Sequence, residues 1–417
     1  MPRGCRDILW PAKATNMISW MALSTIVIYL PLFFSAYFDK FQIGILAAIP
    51  CVCSMMAPPL WGAVADLLGR QRWVHVGCLV SGTVLMYCIQ FARSSFPITC
   101  LIVFCANFQM NPTGSLLDQA IMSLIEDVGG EYGKQRLFGA VGWGIGAFCT
   151  GIIVRGYGIS WAFNLHLLLL VPNLFALTFL PPPKVHCHGG SSSTAKISFT
   201  DGMRHVFRQP DLQFLLLVVL LMGLMFGIIS SFVTLNLYEL SGNSPTIVGI
   251  AIALETLSEL PAFFFANATV KRIGIVWTLF VSIVAYGARI TCYAVMTSAW
   301  MALPFELLHG ATFALAWAAC TQYIYEAAPP STEGTMMGLL NSMLNGLGRG
   351  LGTIAGGYWY DKYGPAFMWW MANLGVPLAL LGLALFARTR PTQPGNYTKI
   401  VHVPTHPSSG VPNESCL

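Results

Sequence analysis

Long apolar runs alternate with short polar breaks along almost the whole chain of 417 residues. A helix needs roughly 20 apolar residues to cross about 30 Å of hydrocarbon, and the runs have about that length. They lie at roughly 15–36, 42–64, 73–92, 98–124, 136–155, 160–181, 212–238, 246–268, 275–297, 300–326, 336–359 and 366–387. The pattern therefore predicts an all-α membrane protein with twelve transmembrane helices.

The longest interior break separates the first six runs from the last six. It extends from Pro181 to Pro210 and contains a Gly-Gly-Ser-Ser-Ser sequence, which is typical of flexible linkers. We therefore predict an N-terminal six-helix bundle at 1–181, a cytoplasmic linker at 182–210, a C-terminal six-helix bundle at 211–390 and a disordered cytoplasmic tail at 391–417. The first apolar run is long and lacks a small-residue cleavage site, which predicts a retained span and not a signal peptide.

The composition excludes a water-soluble fold. Of the residues, 55% are apolar and only 9% are charged, whereas soluble domains carry about 25% charged residues. The net charge of +5 is small and no basic tract is present, so we expect a lipid bilayer around the chain and no nucleic-acid partner. Most of the twelve cysteines lie in apolar runs without metal-ligand spacing. We therefore expect buried thiols, no metal site and no cofactor.

Basic residues are distributed unequally between the two sides of the predicted membrane. Of the 22 Lys and Arg residues, Arg289 and Arg349 lie inside predicted spans. Those on the side opposite the termini are Lys40, Arg93, Arg155 and Lys362. All the others fall on the side of the termini or at its helix ends. Because cytoplasmic loops carry an excess of Lys and Arg, both termini are predicted to be cytoplasmic, with the plasma membrane as the default location.

The break between the second and third runs reads Gly62-Ala-Val-Ala-Asp66-Leu-Leu-Gly69-Arg70-Gln-Arg72. Glycines permit a tight reversal, Asp66 can cap a helix N-terminus or pair with a cation, and the arginines stay at the interface. The break resembles the G-x-x-x-D-x-x-G-R loop of the major facilitator superfamily, which implies a gating loop formed by Gly62, Asp66, Gly69, Arg70 and Arg72. The alternative is a positive-inside loop that happens to contain Asp.

Ionisable side chains inside the predicted spans are functional candidates, because each costs at least ~2.5 kcal/mol on insertion scales. They are Asp118, Glu255, Glu259, Arg289, Glu306, His309 and Arg349. We expect acidic and basic members to face one another across a central cavity. Glu306 and His309 are three positions apart and Glu255 and Glu259 four, so each pair shares a helical face. All except Asp118 are candidates for proton coupling, unless the charges pair only to hold helices together.

The segment from Asp118 to Trp143 carries a more specific resemblance. Asp118 stands eighteen positions before Arg136 in Arg136-Leu-Phe-Gly-Ala-Val-Gly-Trp143, and this region resembles the fourth and fifth spans of lactose permease. The resemblance implies that Asp118 and Arg136 bind sugar hydroxyls and that Trp143 stacks on the sugar ring, a suitable chemistry for these residue types. The structural alternative is that Asp118 and Arg136 pair only to hold two helices together and that Trp143 is a packing residue.

The second half carries a weaker resemblance to the same family. Arg289 and His309 keep the spacing of the family's buried Arg and His. Two departures matter: Glu306 stands where the family has Lys, and Thr312 stands where it has its proton-carrying Glu. The resemblance therefore implies that the proton carrier has moved to another carboxylate of spans eight or ten, or has been lost.

Together these resemblances indicate the lactose-permease-like, oligosaccharide–proton symporter-like branch of the major facilitator superfamily. We predict a secondary active transporter that couples protons to a small polar solute, such as a sugar or oligosaccharide, by alternating access. A nucleoside or other polar-metabolite transporter, an uncoupled uniporter and a non-transporting receptor or scaffold remain alternatives. No Walker A sequence or nucleophile–base arrangement favours a pump or an enzyme. One chain is sufficient for the pathway, and the oligomeric state stays open.

Overall fold

The computed structural model describes residues 9–128, 132–180, 209–327 and 333–390. The helices of the N-terminal bundle are α1 (Trp10–Val27), α2 (Leu30–Phe34), α3 (Lys40–Leu68), α4 (Gln71–Cys88), α5 (Phe96–Val128), α6 (Tyr132–Tyr157) and α7 (Ser160–Phe179). A 3-10 turn, Ile89–Phe91, follows α4. The predicted tail and nearly all of the predicted linker lie outside the described residues, so their flexible character stays a prediction.

The second bundle contains more irregular helices. They are α8 (Pro210–Leu240), α9 (Pro245–Val295), α10 (Leu303–Glu306), α11 (Ala316–Ala327), α12 (Glu333–Asn341), α13 (Arg349–Asn373) and α14 (Gly375–Thr389). A 3-10 turn, Ala299–Met301, precedes α10. Two π-helices interrupt the series: Gly310–Leu315 joins α10 to α11, and Ser342–Gly348 joins α12 to α13.

The helices account for the predicted number of crossings. In the described ranges, eight helical stretches are long and apolar enough to span a membrane, or nine if the pair Ala299–Glu306 and Gly310–Ala327, bent by 42°, is one span. Two stretches, of 51 and 54 residues, are far longer than one crossing needs. They reverse at Gly274 and Gly364, so each crosses twice. With α5, which has 33 residues, the described helices form twelve crossings in two six-helix bundles.

Glycines of positive φ mark equivalent reversals in the two bundles. Gly69 (φ +60°) and Gly274 (φ +81°) each follow the second span of their bundle, and Gly158 (φ +91°) and Gly364 (φ +84°) each follow the fifth. A residue with a Cβ is destabilised by about 1–2 kcal/mol in this left-handed conformation. The shared positions indicate that the two bundles repeat one structural plan.

The bundles meet on the face opposite the termini, here called the far face. Gly44 of α3 lies so close to α13 that a Cβ there would be 2.6 Å from the carbonyl oxygen of Thr353. Gly249 of α9 approaches α6 similarly, with the carbonyl oxygen of Ala147 at 3.0 Å from its would-be Cβ. Both contacts lie near the far ends of these helices and close the far face. Because these contacts between the bundles lie in the far halves of the helices, we infer that the space between the bundles opens toward the terminal face, where the Arg136 side chain is 55% exposed.

Gly357→Val is expected to shift the protein toward a state open at the far face. A Cβ at Gly357 would lie 2.7 Å from the carbonyl oxygen of Lys40 and 3.0 Å from the Cα of Gly44. Backbone atoms cannot move aside as a side chain can, and overpacking of this kind costs about 1–3 kcal/mol. A cysteine at Ile247, which is only 3% exposed, should then react with an impermeant maleimide on the order of tenfold faster.

The matched control for this wedge is Gly77→Val, because nothing lies within 4 Å of a Cβ at Gly77. Both substitutions place valine in a helix, so any general effect of valine on helix stability is shared. Equal labelling rates in the two variants would contradict the role assigned to the contact at Gly357.

Candidate functional site

Asp118 and Arg136, predicted as a pair, lie together in the terminal half of the N-terminal bundle. Asp118 is on α5 and Arg136 is near the start of α6, with Nη1 of Arg136 at 3.5 Å from Oδ2 of Asp118. The side chains are 55% exposed for Arg136 and 31% exposed for Asp118, and Arg136 lies within electrostatic range of Glu259 in the other bundle. A pair this exposed contributes only about 0–1 kcal/mol. The direct contact between Asp118 and Arg136 therefore contributes little to the stability of the bundle.

Trp143 lies two helical turns beyond Arg136 on α6. Its ring is half-buried and packs edge-on against Trp20 of α1, with ring centroids 6.0 Å apart. Helix α1 can come this near because Gly142 has no side chain: a Cβ there would be 2.1 Å from the carbonyl oxygen of Met17. Trp143 is therefore held in place by α1, about 10 Å along the helix from Arg136.

Arg289 is the centre of a hydrogen-bonded network inside the C-terminal bundle. The residue lies on the part of α9 that follows the reversal at Gly274, and it is 0% exposed. Its acceptors are Tyr293 Oη at 3.0 Å, His309 Nδ1 at 3.1 Å, Thr312 Oγ1 at 3.1 Å, Glu255 Oε1 at 2.7 Å and Glu306 Oε2 at 2.6 Å. A guanidinium has five N–H donors, and this set satisfies all of them.

The Arg289 network contains more negative than positive charge. Arg289 carries one positive charge, whereas Glu255 and Glu306 carry two negative charges when both are ionised. His309 adds no compensating charge, because its Nδ1 accepts a hydrogen bond from Arg289 and therefore bears no proton. The same Nδ1 lies 3.5 Å from Glu255, but without a proton it cannot donate there. One proton shared by the two carboxylates would balance the network.

The two carboxylates differ in their access to solvent. The Glu306 side chain is 1% exposed, and its second oxygen accepts a hydrogen bond of 2.8 Å from the Tyr293 hydroxyl. The Glu255 side chain is 14% exposed, so it lies nearer the space between the bundles. The network is built within one bundle, whereas the sequence suggested charges facing each other across a central cavity.

Glu259 and Arg349 lie outside this network. Glu259 is half-buried on α9, one turn from Glu255, and makes no hydrogen bond or ion pair within the described parts of the chain. Arg349 begins α13 with its guanidinium carbon 5.2 Å from the Phe226 ring centre, and it forms no ion pair with a described residue. Of the candidates in the C-terminal bundle, four therefore form the network around Arg289, whereas Glu259 lies within electrostatic range of Arg136 and Arg349 lies over the Phe226 ring.

Both π-helices adjoin these polar groups. Gly310–Leu315 directly follows His309 and carries Thr312, and Ser342–Gly348 ends at Arg349. Such segments are rare and frequently occur at functional sites. Their position was not evident from the sequence, because no residue type specifies a π-helix.

The predicted gating loop is shorter than its motif suggests. Helix α3 continues past Gly62 and Asp66, so the reversal rests on Gly69 and Arg70. Arg72 donates from Nη2 to the main-chain carbonyl of Leu177 near the end of α7, at 3.1 Å, and the same carbonyl accepts the N–H of Leu180 at 3.3 Å. The Asp66 side chain lies outside the described part of the structure, so its pairing stays a prediction.

An ion pair between the bundles closes the far face and was missed by the sequence analysis. Lys40 of α3 pairs with Glu239 of α8, and the other oxygen of Glu239 accepts a hydrogen bond from Tyr360 of α13. The main-chain N–H of Lys40 donates to Asp361 Oδ1 at 3.3 Å. Lys40 and Glu239 are 199 positions apart, so no local pattern could have indicated the contact.

Breaking the Lys40–Glu239 pair is expected to have a small effect on the closure of the far face. The pair is partly exposed, and such pairs contribute about 0.2–1 kcal/mol, so the labelling rate of a cysteine at Ile247 should rise by at most about fivefold. Lys40→Met, Glu239→Gln and the double variant should give similar rates, because each removes the same interaction. Additive effects of the two substitutions would contradict direct pairing.

A family model described as the MFS_1 like family matches residues 9–371, a range that includes all the intramembrane charges described above. This chain belongs to the MFS_1 like family. Membership confirms the predicted major facilitator fold and establishes a membrane transporter, not an enzyme.

Individual relatives of this MFS_1-like protein agree with that assignment. Maltose permease of Geobacillus stearothermophilus is 24% identical over 355 residues, 84% of this chain and 86% of that protein. The putative nucleoside transporter YegT of Escherichia coli (strain K12) is 24% identical over 345 residues, 78% of each chain. The crystal structure of the nucleoside transporter NupG superposes with a TM-score of 0.75 at 16% identity, covering 92% of this chain and 99% of that one. At this identity the structural likeness shows the fold alone.

Proposed function

We propose that this MFS_1-like protein is a proton-coupled symporter of a small polar solute, with sugars and oligosaccharides as the first candidates. The observation that carries the proposal is the Arg289 network, in which one guanidinium is held by two buried carboxylates. Protonation of either carboxylate weakens its bond to Arg289 and removes the excess negative charge. The network can therefore change its hydrogen bonds when a proton binds or leaves, which is the physical requirement for coupling.

Three carboxylates form a route for the proton from the terminal face. Glu259 is half-buried, Glu255 lies one turn deeper on the same face of α9, and Glu306 is almost fully buried. A proton entering from the open side meets them in that order. We assign Glu259 and Glu255 to proton entry. We assign Glu306 to the deprotonated state of the network, in which its ion pair with Arg289 is intact.

The proposed sugar site consists of Asp118, Arg136 and Trp143. The two charged side chains lie 3.5 Å apart and are 31% and 55% exposed, and a carboxylate and a guanidinium are complementary to the donors and acceptors of sugar hydroxyls. Trp143 presents a rigid aromatic surface on the same helix as Arg136. The similarity to maltose permease supports this choice of solute class.

A nucleoside is the second candidate solute. Phe226 and Phe313 stack with ring centroids 5.4 Å apart and an angle of 14° between their planes, a surface against which a planar base could also pack. The similarity to the putative nucleoside transporter YegT favours the same alternative.

The proposal includes an orientation in the membrane. We place the terminal face in the cytoplasm, because the excess of Lys and Arg lies there, and we place the protein in the plasma membrane. The bundles of 1–181 and 211–390 then rock about the solute site, with Gly69, Arg70 and Arg72 in a cytoplasmic gating loop. A single chain supplies the whole pathway.

The test is uptake of a radiolabelled panel of sugars and nucleosides into proteoliposomes, with and without an inward proton gradient. Wild type, Asp118→Asn and Glu306→Gln are compared. We expect gradient-stimulated uptake of a sugar by wild type and its loss in both variants.

Each other outcome rejects a different part of the proposal. Uptake of nucleosides and not sugars would replace the solute class. Uptake that is the same with and without the gradient would exclude proton coupling and indicate a uniporter. No uptake of any solute by folded protein would favour a receptor or scaffold.

A further inference from the structure

Two arginines lie within the membrane spans, and their surroundings are opposite. Arg289 is fully buried and all five of its N–H donors have acceptors. Arg349 is half-buried and makes neither a hydrogen bond nor an ion pair with any residue in the described ranges. A charge at this depth costs at least ~2.5 kcal/mol on insertion scales. Arg349 therefore retains a full set of donors that no protein group in the described ranges uses.

The backbone of Arg349 is firmly positioned. A Cβ on Gly227 of α8 would lie 2.4 Å from the carbonyl oxygen of Arg349 and 2.9 Å from its Cα, so α13 starts in direct contact with α8. The guanidinium lies over Phe226, the preceding residue of α8, at 5.2 Å from the ring centre. A cation above an aromatic face is stabilised through the π-system, and this leaves the N–H edge of the guanidinium available for an acceptor.

Arg349 also lies at the boundary between the bundles. A Cβ on its neighbour Gly350 would be 3.5 Å from the Cβ of Cys51 on α3 of the other bundle. Cys51 is near enough to Arg349 for an electrostatic interaction. A solute bound at Arg349 would consequently be able to contact both bundles, as alternating access requires.

Polar groups continue from Arg349 toward the open terminal face. Asn345 and Asn341 precede it at four-residue intervals, both half-buried, and the Asn345 amide donates to Asn341 Oδ1 at 2.8 Å. The second π-helix separates Asn341 from Arg349. In an otherwise apolar span, these amides form one polar stripe that ends at the unpaired guanidinium.

We infer that Arg349 binds a carboxylate group of the transported solute, with the Asn341–Asn345 stripe guiding the acidic group to it. The guanidinium fork matches a carboxylate in two parallel hydrogen bonds, and no protein carboxylate in the described ranges occupies that position. The inference rests on the proposed transport function and narrows its solute class. The solute class narrows to small organic acids, with sugar acids as the first candidates.

The experiment measures equilibrium binding to the purified full chain with two pairs of radiolabelled probes. Each pair compares an acid with its neutral counterpart: glucuronate with glucose, and 3-phenylpropionate with 3-phenylpropanamide. Wild type is expected to bind the acid of at least one pair more tightly. Arg349→Gln should weaken the binding of that acid by about 10- to 100-fold, the usual contribution of charged hydrogen bonds. The affinity for the neutral probe should be unchanged. Arg349→Lys should retain part of the preference, because it keeps the charge but not the fork.

Arg388→Gln is the matched control, because Arg388 is exposed in the last turn of α14. Equal binding of acid and neutral probes, an acid preference that persists in Arg349→Gln, or no binding of any probe would overturn the inference. Failure of the proposed function is seen separately in the uptake assay. Accumulation of neutral sugars without binding of glucuronate would support the transport proposal and contradict the carboxylate site at Arg349. A protein that binds glucuronate through Arg349 without gradient-stimulated uptake shows the reverse.

Discussion

Arg289→Gln is expected to abolish proton-driven uptake and to destabilise the protein more than any other single substitution among the intramembrane charges. Glu255 and Glu306 both depend on the guanidinium, with donor–acceptor distances of 2.7 and 2.6 Å. Removing one partner of a buried ion pair costs about 3–5 kcal/mol, because the other charge stays buried and unpaired. The melting temperature of the purified protein and uptake into proteoliposomes measure the two effects.

A double substitution separates charge imbalance from lost packing. Arg289→Gln with Glu306→Gln removes one charge of each sign, so it should recover part of the melting temperature lost in Arg289→Gln. Arg388→Gln, at an exposed helix end, controls for the loss of an arginine anywhere in the chain. A double variant no more stable than Arg289→Gln would contradict the view that unpaired carboxylates cause the loss.

Glu306→Gln is expected to eliminate accumulation against a gradient while preserving solute exchange. The amide keeps the size of the side chain, and its single oxygen can still accept from Arg289 while its NH2 group faces the Tyr293 hydroxyl oxygen, but it cannot bind and release a proton. One buried charge pair, Arg289 with Glu255, then remains balanced, so the fold should be little affected. Gradient-driven uptake should fall to the level of empty liposomes, and counterflow of labelled solute should continue.

Glu326→Gln is the control for this variant, since Glu326 is an exposed carboxylate near the end of α11. Accumulation that survives in Glu306→Gln would exclude Glu306 from the coupling network. Loss of counterflow together with accumulation would instead indicate that the amide disrupts the bundle, and this is checked by the melting temperature.

Much of the architecture could be predicted because it depends on local properties of the chain. Apolar runs of sufficient length are recognisable without any tertiary information, and the glycines at 274 and 364 stand between runs that proved to be separate crossings. The pairing of Asp118 with Arg136 was also within reach, because their helices are consecutive. Tyr293, four positions after Arg289, could have been found from its helical face.

Long-range contacts could not be predicted in the same way. Glu255, Arg289 and Glu306 lie in three successive spans, and the sequence allowed many pairings among the seven intramembrane ionisable groups. The two π-helices and the pair of Lys40 with Glu239 left no recognisable pattern. Such contacts depend on the distances and angles between helices, which arise only when the bundles pack.

The sequence by itself determined that this is a twelve-span membrane protein with buried charges, because hydrophobic length and the cost of charge in lipid are properties of each segment. Only the tertiary structure decided which charges are satisfied. It surrounded Arg289 with five acceptors and left Arg349 with none in the described chain. It also decided which face is closed, because helix packing at Gly44 and Gly357 brings the two bundles together there. The physical reason is that hydrophobicity acts residue by residue, whereas hydrogen bonds and close packing require particular atoms of distant segments to meet.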